Sequence, residues 1–288
     1  MNLTLQDLLE EGMEKLLKAG VEEASIDSKY LLFEAFHTDM AHFLIDRDKR
    51  LPGVSSVLKE TAEYRTMIEK RSKRIPLQQI TGSREFMGLE FYVNEYVLIP
   101  RQDTETLVER VLKDYKGKKP EILDMCTGSG CIAISLALLG GFSRVTGADI
   151  SQEALKVAET NVERLMGENR ITLIESDLFA SLKENRKFDV IVSNPPYIPT
   201  KIIEELQPEV RDHEPILALD GMEDGLHFYR RLVLDCRRFL KPDGAVYFEI
   251  GYDQGDAVSG LLKEAGYKDI RVVKDAAGLD RVVCAVYV

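Results

Sequence analysis

Several large classes of protein are marked by features that this 288-residue chain has little of. Its four cysteines, Cys126, Cys131, Cys236 and Cys284, form no CxxC pair and no disulfide-rich density, so they read as reduced thiols of a cytoplasmic protein. Long apolar runs are missing as well. The longest, Ile132 to Leu139, is interrupted by Ser135 and falls far below the roughly 18 residues a bilayer crossing needs. Met1 to Asp7 hold no basic region followed by an apolar core, so no secretory signal is expected. Basic charge is also in deficit: the formal net charge is −11 and the pI about 5.1, which argues against broad nucleic-acid binding because phosphate contact draws on clustered Lys and Arg. Arg65, Lys70, Arg71, Lys73 and Arg74, opposed by Glu69, form a modest local basic excess. It reads as a solvated helix face, the alternative being a contact for an acidic or RNA-associated partner. There is no internal repeat and no low-complexity tract.

What is present suits a soluble globular protein: 44% hydrophobic and 30% charged residues are enough to bury a core. The length favours one large α/β domain with a smaller attachment. In residues 1–75 the spacing of Leu8, Leu9, Met13, Leu16 and Leu17, then Tyr30, Leu31 and Phe33, then Val57, Tyr64, Met67 and Ile68 predicts a small helical bundle ending before Pro76. Residues 76–100 change to short β-like runs at 77–80, 85–87 and 89–93, which predict a β-hairpin linker. Residues 101–288 begin with a helix that Asp103 or Thr104 would cap. They then alternate strands near 121–125, 144–149, 171–174 and 188–193 with helices near 130–139, 151–166 and 226–240. That alternation predicts a doubly wound, Rossmann-like parallel sheet. Strand 244–250, helix 254–265 and runs 268–274 and 281–287 follow, the last two predicting an antiparallel hairpin at the sheet edge.

Asn194-Pro195-Pro196-Tyr197 follows the apolar run Phe188 to Ser193 directly, so two acceptors and an aromatic face stand at a strand end. The Asn194 side-chain oxygen and the Pro195 carbonyl can each accept one N–H of a planar amino group. Both prolines restrict the backbone, and Pro195 brings no competing donor. Tyr197 is expected to lie against the held group. A second loop, Asp124-Met125-Cys126-Thr127-Gly128-Ser129-Gly130-Cys131, closes the first strand of the large domain, where glycines permit close approach of a ligand. Asp149 ends the next strand and can accept from both hydroxyls of an adenosine ribose. Position 133 is alanine, so the Gly-x-Gly-x-x-Gly dinucleotide spacing is incomplete. Asp124 suits a cationic ligand without phosphates, S-adenosyl-L-methionine. Asp177 and Leu178 are expected to meet an adenine amino group and ring, the lone-motif alternative for Asp177 being a helix cap. No metal site is expected.

These stretches resemble the class I S-adenosylmethionine methyltransferases and, within them, the bacterial release-factor glutamine N(5)-methyltransferase family, also called PrmC or HemK. The resemblance covers essentially the whole chain and includes Pro76 to Gly82, Arg84-Glu85-Phe86, Ile99 to Glu105, Ser193 to Ile198, Val210-Arg211 and Glu214-Pro215. It implies methyl transfer to the glutamine amide of a Gly-Gly-Gln loop in class 1 peptide-chain release factors, gripped in part by the helical domain. Asn194, Pro195 and Tyr197 would act at the transfer, with Pro196 and Arg101 also meeting substrate. Asp124, Cys126, Thr127, Gly128, Ser129, Gly130, Asp149, Asp177, Leu178 and Asn194 would hold the cofactor. Arg101 is otherwise a surface residue beside a helix start, and Glu249-Ile250-Gly251 reads as structural. Two positions depart from the family: Cys126 stands where its glycine loop often begins with glycine, and Gln102 where proline is frequent. Cys126 reads as a packing residue. Competing readings are a ribosomal-protein glutamine methyltransferase, an adenine amino methyltransferase of DNA or RNA, and a non-catalytic nucleotide-binding protein.

Overall fold

The structure, a computed structural model, describes residues 3–167 and 171–288. The chain forms two compact units, Met1–Gly82 with Pro208–His213, and Ser83–Gln207 with Glu214–Val288.

The first unit is built from α1 (Leu5–Lys18), α2 (Ala24–Phe36), α3 (Met40–Asp46), α4 (Ser55–Ser72) and α5 (Leu77–Thr81). Thr4 starts α1 through a capping box with Asp7, and Leu5, Leu8 and Leu16 then fall on one buried face. At Gly12 an added Cβ would sit 2.0 Å from the Tyr64 hydroxyl, so α1 and α4 approach as closely as a bare Cα allows. Tyr64, fully buried, meets Ser28 at 2.9 Å. The basic excess on α4 is in part the solvated face expected, with Arg65, Lys70 and Lys73 exposed, but Arg71 and Arg74 turn inward. Arg65 pairs with Glu11, and Arg71 is 7% exposed, donating to Asp27 at 2.7 Å. Arg71 and Arg74 both reach Glu209, at 2.9 and 2.6 Å. A buried guanidinium needs such partners because desolvation of an unpaired charge is severe. The run 77–80, expected as extended, is helical: Leu77 and Ile80, three apart, share the face that packs on the bundle core, and Gly82 closes the turn at φ 71°.

The second unit opens with an antiparallel hairpin, β1 (Ser83–Phe86) and β2 (Leu89–Tyr92), followed by α6 (Gln102–Asp114). Then come β3 (Glu121–Met125), α7 (Cys131–Gly140), β4 (Arg144–Asp149), α8 (Gln152–Met166), β5 (Thr172–Glu175) and β6 (Phe188–Ser193). Short helices α9 (Thr200–Ile203) and α11 (Ile216–Leu219) flank α10 (Pro208–Arg211), which belongs to the first unit. The chain ends with α12 (His227–Phe239), β7 (Leu240–Glu249), α13 (Gly255–Glu264), β8 (Lys268–Lys274) and β9 (Asp280–Tyr287). The seven-stranded sheet runs β5-β4-β3-β6-β7-β9-β8, parallel from β5 to β7 and antiparallel at β9 and β8. β6 is apolar almost throughout, as a strand covered on both faces must be. The closing hairpin is antiparallel as expected, with the later strand inside: β9 is buried at Arg281 to Ala285, whereas β8 exposes Lys268, Arg271 and Lys274 on the edge, where charge discourages further pairing.

α6 starts at Gln102 with Arg101 as N-cap, so neither Asp103 nor Thr104 caps it. Arg101 is extended at ψ 145°, the conformation a residue before proline prefers. The Gln102 N–H accordingly stands where a helix loses nothing by lacking a donor. Gln102→Pro is therefore expected to raise stability by about 0.4–1 kcal/mol through the unfolded state. Urea unfolding would show this as a higher midpoint at unchanged slope.

Candidate active site

Parallel pairing of β3 with β6 sets Met125 against Ser193, and the Ser193 hydroxyl donates to the Met125 carbonyl at 2.7 Å. The glycine loop and the Asn-Pro-Pro-Tyr loop thus leave the sheet side by side. On the other flank Met125 pairs with Ala148, which brings Asp149 to the same rim. Thr127 N–H returns to the Ala148 carbonyl at 3.0 Å, and Asp149 accepts from Gly128 N–H at 2.8 Å and Ser151 N–H at 2.9 Å. Beneath the loop, fully buried Asp124 takes the Thr127 hydroxyl at 2.6 Å and the Ala133 N–H at 3.1 Å on Oδ2. Its Oδ1 is buried with no hydrogen-bond partner among the described residues. Burial pushes the Asp124 carboxyl up to about 7, with some repulsion from Asp149, against the pull of Thr127 and Ala133. Burial also raises Asp149, against three backbone N–H groups. Gly130 at φ 80° begins α7, and a Cβ there would press on Ile134 and Ala158 at 3.1 and 3.3 Å.

The second loop is held from behind. No peptide bond among the described residues is cis, so both prolines of the motif are trans. A Cβ on Gly221 or Gly225 would fall 2.7 and 2.3 Å from Tyr197 backbone atoms, and Gln254 Nε2 donates to the Tyr197 carbonyl at 3.0 Å. The Tyr197 ring packs on the core beneath the sheet end, and its hydroxyl donates to Glu249 Oε1 at 3.4 Å. Burial and the adjacent Glu249 hold that hydroxyl well above its ordinary range. Asn194 directs its Nδ2 to the Thr104 hydroxyl at 3.4 Å.

One cavity opens over both loops. Of the residues expected in the site, Arg101, Cys126, Thr127, Gly128, Ser129, Asp149, Asp177, Leu178, Asn194 and Pro196 line it. Asp124, Gly130, Pro195 and Tyr197 do not: the first two form the underside of the loop, and Tyr197 gains more from packing on the core than from facing the opening. Asp177 neither caps a helix nor stands alone, since its Oδ1 receives Arg231 at 2.9 Å. Arg101 donates to Glu214, whose side chain is 1% exposed and whose carboxyl is raised by burial despite that partner. Thr104, Ile150, Phe228 and Arg231 also line the cavity and were not anticipated. Thr104 had a signal in the Ile99 to Glu105 stretch. Phe228 and Arg231 had none beyond the amphipathic pattern of α12.

Comparison with known proteins places these features in a family. Residues 7–82 match the PrmC N-terminal domain and residues 102–206 the methyltransferase small domain. A "Release factor glutamine methyltransferase" of Geobacter sulfurreducens is 41% identical over 97% of this chain and 95% of its own length. One from Clostridium botulinum is 39% identical over 98% and 99%. The chain belongs to the release factor glutamine methyltransferase family. Among solved structures, the hMettl16 catalytic domain in complex with MAT2A 3′UTR hairpin 6 aligns with a TM-score of 0.58 at 16% identity, covering 75% of this chain and 81% of that one. A Pyrococcus furiosus methyltransferase aligns at 0.51 and 17%, covering 70% and 90%. Both likenesses are of fold alone. Among the described residues no helix is long and apolar enough to cross a membrane.

In this chain the unusual Cys126 keeps φ at 63°, a region that favours glycine. Its thiol is raised by burial, which suits packing and not nucleophilic use. Cys126→Gly should leave activity intact and stability within about 1 kcal/mol, because relief of left-handed strain is offset by glycine's greater chain entropy. Cys126→Val, β-branched at the same φ, should lose more than about 1 kcal/mol. Denaturant unfolding of the two variants tests the order; a more stable valine variant would refute the strain account.

Proposed function

We propose that the chain transfers a methyl group from S-adenosyl-L-methionine to the side-chain amide nitrogen of the glutamine in the Gly-Gly-Gln loop of class 1 peptide-chain release factors, in the cytoplasm. One observation carries the reading: in a chain 41% identical to a named release factor glutamine methyltransferase, Asn194 and Asp149 line the same cavity. The residues fit a cationic nucleoside. Asp149 offers carboxylate acceptors at the rim, Leu178, Ile150 and Phe228 offer apolar surface for a base, and Asp124 holds a buried oxygen still without a donor. When bound, the cofactor supplies an electrophilic methyl on a sulfonium.

An amide nitrogen is a poor nucleophile because its lone pair is delocalised into the carbonyl. The chain's task is therefore to aim that nitrogen. In this reading Asn194 Oδ1, on the cavity wall, accepts one N–H, and the carbonyl of Pro195, a residue outside the cavity lining, accepts the other. Both then stabilise positive charge as it develops on nitrogen. Tyr197 props the loop through Glu249 and does not stack on the substrate. Arg101, steadied by Glu214, is placed to meet the substrate loop, and the helical unit serves recognition of the factor. The cationic amide that results is acidic enough to release its proton to water.

Asn194→Ala should lower the transfer rate roughly 10²-fold or more while cofactor affinity, read by calorimetry, changes little. Asp149→Ala should instead weaken cofactor binding most, and an unchanged affinity would remove it from the site. Labelled cofactor should mark a release factor and not the same factor with its loop glutamine replaced; labelling of a ribosomal protein or DNA instead would overturn the substrate assignment.

The raised Asp124 carboxyl adds a pH dependence. It is protonated below about 7 and a carboxylate above, so affinity for the cationic cofactor should rise as pH passes through about 7. Asp124→Asn should flatten that rise in calorimetric titrations across pH 6–8.

A further inference from the structure

A second cavity, of about 640 Å³, lies under the turn that joins β5 to β6, a volume that suits a small molecule. Lys183, Asn185, Arg186, Lys187 and Lys241 line it, with Glu121 as the one acid of the lining. Glu121 opens β3, Lys187 immediately precedes β6 and Lys241 is the second residue of β7, so these residues stand at the amino ends of adjacent parallel strands. The cavity over the glycine and Asn-Pro-Pro-Tyr loops stands at the carboxyl ends, and the two share no lining residue.

The acids around the second cavity are already engaged. Asp189 takes Lys241 at 2.8 Å and the Glu121 N–H at 2.7 Å. Glu121 faces Lys241 at 3.4 Å and Arg144 at 3.9 Å, and Glu184 holds Arg238 at 2.5 Å. The Lys187 ammonium donates to the Arg238 carbonyl. Lys183, Arg186 and Lys187 have no carboxylate partner among the described residues. Three positive charges therefore meet in one concavity of a chain whose net charge is −11.

Arg186 is not a solvated side chain. It is half-buried, its guanidinium lies over the Phe188 ring at 5.3 Å, and Nη2 donates at 2.6 Å to the hydroxyl of Thr146, a residue 1% exposed. Arg71 and Arg281, also turned inward, each bond two carboxylates, which offset the cost of leaving water. Arg186 has a neutral hydroxyl and a ring face instead, and its other side-chain N–H donors are without a partner among the described residues. Its backbone N–H bonds the Lys183 carbonyl at 2.9 Å, closing a turn that holds both cations at the same rim.

We propose that this second cavity binds a small molecule carrying a diphosphate group. A guanidinium fixed by ring and hydroxyl matches phosphate oxygens two at a time, the Lys183 and Lys187 ammoniums act as point charges, and the Asn185 amide adds a neutral donor. A terminal diphosphate carries about three negative charges near neutral pH, which balances the three cations. An extended polyanion fits less well, because the acidic surface beyond the cavity repels it.

The test is calorimetric titration of the full-length chain with pyrophosphate, with S-adenosyl-L-methionine in excess so that the first cavity is filled. One equivalent should bind with a Kd at or below about 1 mM. Lys183→Gln combined with Lys187→Gln, both exposed positions, should weaken binding about 10-fold or more, and Arg186→Gln at least as much, the scale of losing charge-assisted contacts. Lys263→Gln combined with Lys268→Gln removes the same charge from exposed positions on α13 and β8 and should leave affinity within about twofold. ADP should bind with the same dependence on Lys183, Arg186 and Lys187: affinity equal to that of pyrophosphate assigns the phosphates alone, and tighter binding assigns a nucleotide. Absence of binding at about ten times the expected Kd overturns the proposal. So does an equal loss in the two lysine pairs, which would mark diffuse attraction, or tighter binding of a tetraglutamate peptide, which would mark an acidic protein segment as the occupant. The Lys183 and Lys187 pair decides the matter if Arg186→Gln does not fold.

Discussion

Everything at the site follows from β3 and β6 being neighbours. The chain runs β3, β4, β5 in one direction across the sheet and then crosses back to lay β6 on the other side of β3. Two loops therefore diverge at the carboxyl ends of adjacent parallel strands, leaving a crevice that backbone hydrogen bonding keeps open. Met125 opposite Ser193 fixes the loops in register to within one residue, and a slip by one would turn both motifs to the other face. The chemistry of each loop is local, but their meeting is a property of the sheet.

Behind the two loops that border the crevice, the fold holds two acids against their preference. Asp124 and Glu249 are both pushed up to about 7, chiefly by burial. Their pKa values in the folded chain stand above those of an unfolded one. The stabilisation gained by binding those protons is thus complete below about pH 4 and lost as pH rises through about 7. Near neutral pH these carboxyls cost stability. One lies beneath the glycine loop and the other behind the Asn-Pro-Pro-Tyr loop.

Rigidity of the second loop comes from close packing more than from its prolines alone. Gly221 and Gly225 let the chain pass within contact of the Tyr197 backbone, and Gln254 ties Tyr197 and Gly225 together. Tyr197 adds a ring wedged into the core. A loop so filled from behind can present an amide with little freedom, which is what aiming a weak nucleophile requires. In the helical unit the acidic Glu209 of α10 likewise neutralises two arginines of the bundle.

The sequence by itself determined the order of the sheet strands and of the long helices between them in the second unit, though not of the short helices α9 and α11, together with the two loops and the residues at their tips, because apolar runs, glycines and prolines act through neighbours a few positions away. It also carried the signal for Asp149, one residue past a buried strand. Only the tertiary structure decided that Leu77–Thr81 is helical, since the bundle's core outweighed local β propensity. It also turned Thr104 to face Asn194, ninety positions on, when the helix start made it look like a cap. Tyr197 went behind the wall for the same reason, as did the pairing of Asp177 with Arg231. Spacing along a chain fixes which face a side chain occupies, whereas its partners depend on which distant segment is packed against that face, and that is set by burial of the whole core.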